Sequence, residues 1–432
     1  MSGKKSVAFI AAAIVLAGCS PKESLKGTRE NLILSEPDED GIALDGDNSP
    51  LTIDPSEENS EFVQPHFNVS HCYPPLKFAF SPTELWSKQL DFEATKSIKT
   101  TAAPIVAEGK AFCIDAAGIV YALDKNTGKE LWKISLTVAQ KDGQIGGAIA
   151  YDKGRLIVTS SFAEGFCLNA TNGKILWRIK LPAACKGDGI TIHDGKAFIM
   201  CGNSSLQVIN IDDGKVVWSH SGMITDAAFI GSSCPAIDNG VVYLAYPSGE
   251  IFALLEETGA VVWDGMLSKF SLTNAARAFS HPRACPVIKD GIVYFVAANE
   301  QTAAFDAKTG KLIWKSDHGG VQTPLVSGNC IFVLNSQSEL ICLNKNTGKK
   351  RWSVKISNDK DEIFNWCGAL LIKDYVAAIT PAGYMTFVSV YDGKIKKIIE
   401  MDYNEDGVSV NPVIANGIMY VLMNCGKIVA YK

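Results

Sequence analysis

From about residue 83 the chain is written in short apolar runs broken by Gly beside Asp or Asn, and helical periodicity is nearly absent outside the first twenty residues. The stretch 284–306, ACPVIKDGIVYFVAANEQTAAFD, shows the grammar: an apolar run, a turn at Asp290-Gly291, then two more runs rich in β-branched and aromatic residues. AKTGKLIW adds another turn and a fourth run. This alternation predicts four antiparallel strands. The unit recurs. Gly128, Gly173, Gly214, Gly259, Gly310, Gly348 and Gly393 mark the last turn of each copy, 38–51 residues apart. Four residues after the first six stand Trp132, Trp177, Trp218, Trp263, Trp314 and Trp352; the seventh copy, VYDGKIKK, has Lys397 there. Four strands at this period predict an all-β chain folded as a β-propeller.

The turn Gly supplies a positive φ at little steric cost, and the Thr, Asn or Asp before it bonds local backbone. The Trp falls on the outermost strand, where its ring can cover the seam to the next blade. The competing reading, a circle of Trp side chains around a ligand, is weaker because outer strands face away from the central channel. Seven turn motifs complete seven blades. The closing stretch 410–432, VNPVIANGIMYVLMNCGKIVAYK, then offers three strands and no fourth. Near the start, SPTELWSKQL carries Trp86, 46 residues before Trp132, as an outer strand without its own three. Eight four-stranded blades follow, closed by the N-terminal strand pairing with the C-terminal three. Closure removes two raw sheet edges. Seven blades and a stray strand is the alternative.

The chain has 432 residues, 47% hydrophobic and 20% charged, with a formal net charge of −5. It is long enough to bury a large core, and no basic excess points to nucleic acid. Residues 1–18 read as a signal peptide: Lys4 and Lys5, an apolar run over 7–17, then Leu16-Ala17-Gly18-Cys19. The last four resemble a bacterial lipobox, which implies cleavage before Cys19 and lipid on that residue. An ordinary cleaved signal is the alternative. Ser20 after the Cys fits retention at the outer membrane. Residues 19–81 read as a flexible acidic tether. SEPDEDGIALDGDNSPLTIDPSEENSEF within them holds no Lys or Arg and too little apolar surface to offset chain entropy. Its reach would be about 45 Å. An acidic tail for a basic partner is the other reading. The propeller then spans 82–432.

Eleven Cys remain beyond Cys19, none adjacent and none in C-x-x-C spacing. Their apolar contexts read as buried free thiols, with a disulfide or two left open. The six His form no zinc-like spacing; His66, His71 and Cys72 near the end of the tether are the one local grouping. No catalytic motif and no cofactor or metal site is read from the chain.

The string A-[LF]-D-x-x-T-G-K-x-x-W in ALDKNTGKELW and AFDAKTGKLIW resembles the tryptophan-docking repeat of pyrroloquinoline-quinone-type propellers. The resemblance covers residues 83–432 and specifies fold more than function. Two families share it. Quinoprotein dehydrogenases also carry a vicinal Cys pair, calcium ligands and an Asp base, and this chain has no adjacent Cys pair. The other is the BamB family, lipoproteins of the outer-membrane β-barrel assembly machinery. Lipobox, tether and eight blades are similar to it. That resemblance implies a non-catalytic, lipid-anchored propeller on the periplasmic side of the outer membrane. It would dock on the periplasmic domains of BamA, the barrel subunit, and help deliver nascent outer-membrane proteins. Matching the family's partner loops places contacts at Ala227, Phe229 and Ile230 in AAFIGSSCP. It also places His281 and Arg283 of FSHPRACPV where the family has acids. For Phe229 and Ile230, core packing is the alternative. A periplasmic quinoprotein oxidoreductase and a generic envelope-binding propeller are the rival functions.

Overall fold

Each repeat turn is held by its own side chains. Asp124 Oδ1 accepts from the backbone N–H groups of Asn126 and Thr127 and from the Thr127 hydroxyl, and Gly128 N–H closes onto the Asp124 carbonyl. Asp306 and Thr309 repeat the arrangement, and Asn169 and Asn344 use an amide oxygen for it. The turn glycine sits at φ 66–72° in all seven copies. In every blade one extra residue then interrupts the register of the outermost strand. Ala122 pairs with Trp132 but Leu123 with Glu130, leaving Leu131 unmatched. The same step recurs in the other seven outer strands. A bulge re-aims the residue that follows it. Here it turns the Trp toward the neighbouring blade.

The computed structural model describes residues 47, 49–91, 102–115, 117–136, 147–185, 187–224, 233–267, 284–297, 301–320, 322–356, 368–380, 383–401, 407–408 and 410–432. Among them the strands form eight antiparallel sheets of four, and no helix occurs. In chain order, blade 1 spans 105–135, blade 2 149–180, blade 3 190–221 and blade 4 236–266. Blade 5 spans 287–316, blade 6 325–355 and blade 7 369–400. Blade 8 joins Glu84–Gln89 to the three C-terminal strands. Glu84 pairs with Tyr431 and Gln89 with Lys427, while Thr83 and Lys432 exchange two backbone hydrogen bonds at 2.8 and 2.9 Å. The ring is thus an eight-bladed propeller closed by its two chain ends, as the strand count predicts.

Each Trp lies against the turn glycine of the next blade. A Cβ added at Gly173 would fall 2.7 Å from Trp132, and one at Gly348 2.3 Å from Trp314. Each indole N–H also donates to a carbonyl of that next turn, as Trp352 does to Val390 at 3.1 Å. The contacts run from Trp86 on Gly128 around to Trp352 on Gly393. They cover seven seams. The eighth, from blade 7 to blade 8, meets the chain ends instead of a turn, and Lys397 stands in the Trp position. There Phe80 fills the gap, 4.9 Å from the Tyr375 ring and 5.0 Å from Phe387. Lys397 Nζ sits 5.3 Å over the Phe80 ring and donates to the Ser81 hydroxyl.

The tether expectation needs correction over residues 49–81. This stretch is folded against the ring. Arg351, the bulge residue of blade 6, is buried and donates to the Ser49 carbonyl at 2.7 Å. Leu76 is fully buried, and Phe62, Tyr73 and Phe78 join the core. Composition misjudged the segment because its apolar residues are few and irregularly spaced, yet each meets a prepared apolar surface.

Candidate functional site

The innermost strand of each blade shows one unpaired edge to the centre of the ring. Residues 59–76 make one circuit there and meet all eight edges at the same register position. Asn59 Nδ2 donates to the Ile414 carbonyl of blade 8. Phe62 exchanges two backbone bonds of 2.8 Å with Val106 of blade 1. Tyr151 N–H of blade 2 donates to the Val63 carbonyl, and Ile192 N–H of blade 3 to the Gln64 side chain. Ile237 of blade 4 donates to Val69, and Ile288 of blade 5 to Ser70. The Cys72 thiol reaches the Val326 carbonyl of blade 6 at 3.5 Å. Leu76 N–H donates to Leu371 of blade 7 at 2.8 Å. The hub is filled by the chain's own plug. This satisfies edges that would otherwise invite strand addition.

Within the plug, His66, Phe67 and His71 all take positive φ, between 57 and 74°. Non-glycine residues hold that conformation only where their surroundings enforce it. The two imidazoles, 5.3 Å apart by ring centroid, face a pair of thiols at the foot of blades 4 and 5. Cys234 and Cys285, each just before a Pro that leads into an inner strand, have sulfurs 2.7 Å apart. Cys234 N–H donates to the Cys285 sulfur at 3.0 Å. His71 Nδ1 lies 2.8 Å from the Pro286 carbonyl, which can only accept, so Nδ1 carries the proton. Its Nε2 faces the Cys234 sulfur at 3.7 Å. Burial holds the His71 imidazole down to about 4, with His66 adding to the effect, so it is neutral at pH 7. Burial opposes charge on Cys285 too, but the bond from Cys234 and the His66 imidazole outweigh it and hold that thiol well below its usual range. His66 is raised in return: burial lowers it, and Cys285 more than offsets this.

His66, Cys234 and Cys285 have ligating atoms within 4.8 Å of one another. No other group of three such ligands gathers so closely among the described residues. The sequence had grouped His66 and His71 with Cys72, whose thiol turns away to blade 6. Spacing could not reveal the actual companions, 163 residues from His71 in the case of Cys234 and a further 51 to Cys285. A cavity of about 30 Å³, lined by His66, His71 and Asp188 among others, adjoins the cluster. The ten described cysteines are free thiols, nine of them buried.

The partner-contact residues expected from sequence, Ala227, Phe229, Ile230, His281 and Arg283, lie outside the described residues, as does Cys19. A surface feature on the same blades was missed. The two residues before the Trp are exposed and apolar in four consecutive blades: Ile175-Leu176, Val216-Val217, Val261-Val262 and Leu312-Ile313. In blade 6 the pair is Lys350-Arg351. The signal lay in the repeats ILW, VVW, VVW and LIW.

Comparison with known proteins draws the same fold. Residues 79–141 and 116–354 match the family described as outer membrane protein assembly factor BamB. The chain belongs to the BamB family. It is 23% identical to the BamB of Yersinia pestis over 364 residues, 83% of this chain and 91% of that protein. The crystal structure of BamB from Moraxella catarrhalis superposes with a TM-score of 0.70 at 19% identity, covering 82% of this chain and all of that one. A europium-containing methanol dehydrogenase superposes at 0.67 and 15% identity, covering 84% of this chain and 89% of that one, a likeness of fold alone. The relatives of that name are outer membrane protein assembly factors.

Proposed function

We propose that this chain is a non-catalytic docking scaffold of the outer-membrane protein assembly machinery. Lipid on Cys19 anchors it at the periplasmic side of the outer membrane. It binds the periplasmic domains of a BamA-like barrel subunit and aids the insertion of nascent outer-membrane proteins. The observation that carries this reading is the filled hub of a BamB-family ring. A quinone-type cofactor would need the centre of the propeller, and residues 59–76 occupy the inner edge of every blade there. Binding is left to the periphery. In the chain, Phe229 falls between blades 3 and 4 and Arg283 between blades 4 and 5, three of the four blades whose outer strands carry the exposed apolar pairs. Exposed apolar side chains repeated on neighbouring blades favour protein contact.

The test is affinity purification of the full-length chain from detergent-solubilised membranes. The barrel subunit is expected in the eluate. Phe229→Asp and Val262→Lys are each expected to lower its recovery about tenfold, a loss of ~1.4 kcal/mol, with the melting temperature kept. An eluate without the barrel subunit would defeat the proposal. Pyrroloquinoline quinone with calcium should give neither a thermal shift nor dye reduction; seeing both would restore the oxidoreductase reading.

A further inference from the structure

We propose that His66, His71, Cys234 and Cys285 form a four-ligand site for a soft divalent cation, zinc above all, which ties the plug to blades 4 and 5. Three separate parts of the chain converge there. The plug brings two imidazoles, and each of two neighbouring blades brings one thiol from the same place before its inner strand. Two nitrogens and two sulfurs make a tetrahedral donor set that zinc favours over calcium or magnesium. The His71 ring is already oriented: Nδ1–H is spent on the Pro286 carbonyl, so the lone pair of Nε2 points at the cluster. That outer hydrogen bond is the usual partner of a metal-bound imidazole.

Charge also fits. On binding, two protons leave to solvent, one from Cys234 and one shared between Cys285 and His66, and each sulfur and each facing ring nitrogen donates an electron pair to the metal, so two thiolates and two neutral imidazoles surround one dication. No electron is transferred and no oxidant is needed. The other close pairs of thiols, Cys185 with Cys201 and Cys330 with Cys342, lack this company among the described residues. The required movement is small. Sulfurs bound at ~2.3 Å on a tetrahedron stand about 3.7 Å apart, so the present 2.7 Å must open by about 1 Å. The adjoining cavity, which His66 and His71 line, gives the rings room to follow.

The experiment uses the full chain purified under reducing conditions. Elemental analysis should find one zinc per chain. Titration of the metal-depleted protein with Co²⁺ should give thiolate-to-cobalt charge-transfer and tetrahedral d–d bands. Cys285→Ser should abolish both bands and bound zinc. His66→Asn should weaken Co²⁺ binding by about ten- to a hundredfold. Cys330→Ser should bind as the parent does. If Cys285→Ser fails to fold by melting temperature, His66→Asn carries the test, because its side chain belongs to the plug. Two outcomes would overturn the site: protein without metal whose Cys234 and Cys285 are both open to alkylation, or protein without metal in which a Cys234–Cys285 disulfide peptide is recovered. Equal loss of metal in Cys330→Ser would overturn it as well.

Discussion

At the scale of the residue, the repeat glycine meets two demands at once. Gly259 has φ +72°, and an added Cβ would sit 2.6 Å from the Trp218 ring. Gly240, at φ +73°, has no atom within 4 Å of that point. The pair separates backbone strain from seam packing. Gly240→Ala should cost only the left-handed penalty, ~1–2 kcal/mol. Gly259→Ala should cost ~2–4 kcal/mol, since the ring must also shift. Urea denaturation of both variants checks this, and equal costs would mean that the Trp contact contributes nothing. The role of the Trp was legible because turn, Gly and Trp recur at fixed offsets. The bulge that aims it was not, since one extra residue in a strand leaves the apolar pattern unchanged. Nor was the substitute at the eighth seam: Phe80 lies far from Lys397 in sequence and meets it only because the chain ends meet.

The plug is the element that sequence conceals. Its contacts come from residues 59, 62, 63, 64, 69, 70, 72 and 76, a spacing set by the circumference of the hub and by no helix or strand period. The His–Cys cluster was hidden for the same reason, as its thiols arrive from two blades. An anchor of the stretch just before the plug responds to pH. Asp54 pairs with Lys289 and accepts from Gly328 N–H at 3.0 Å and the Ser327 hydroxyl at 3.1 Å. Burial alone would raise its carboxyl, but these partners together hold it below the ordinary value. A carboxylate lowered on folding stabilises the folded state above its unfolded pKa of about 4 and loses that contribution as pH falls through the folded value. Proteolysis within residues 49–57 should therefore rise as pH drops from about 5 to about 3. Asp54→Asn should be cleaved faster at pH 7 and lack the acid-induced rise; a variant with the parental profile would show that Asp54 does not hold residues 49–57 to the ring.

At the scale of the molecule, the account joins two closures. The outer one was readable: three strands at the end and one lone Trp strand at the start complete an eighth blade. The inner one, a segment that meets the inner edge of all eight blades, fills the hub and, in the proposed function, leaves recognition to the rim. Such a body suits a family of assembly factors better than it suits chemistry at the hub. Hydrogen exchange on the full-length chain, followed by mass spectrometry, tests the inner closure directly. The amides of Phe62 and Leu76, which donate to inner strands, and those of Tyr151, Ile192, Ile237 and Ile288, which donate to the plug, should be protected as long as the amides paired within the blades. Exchange there within seconds, while the blades stay protected, would mean that the hub is open and the account of this ring as a plugged scaffold is wrong.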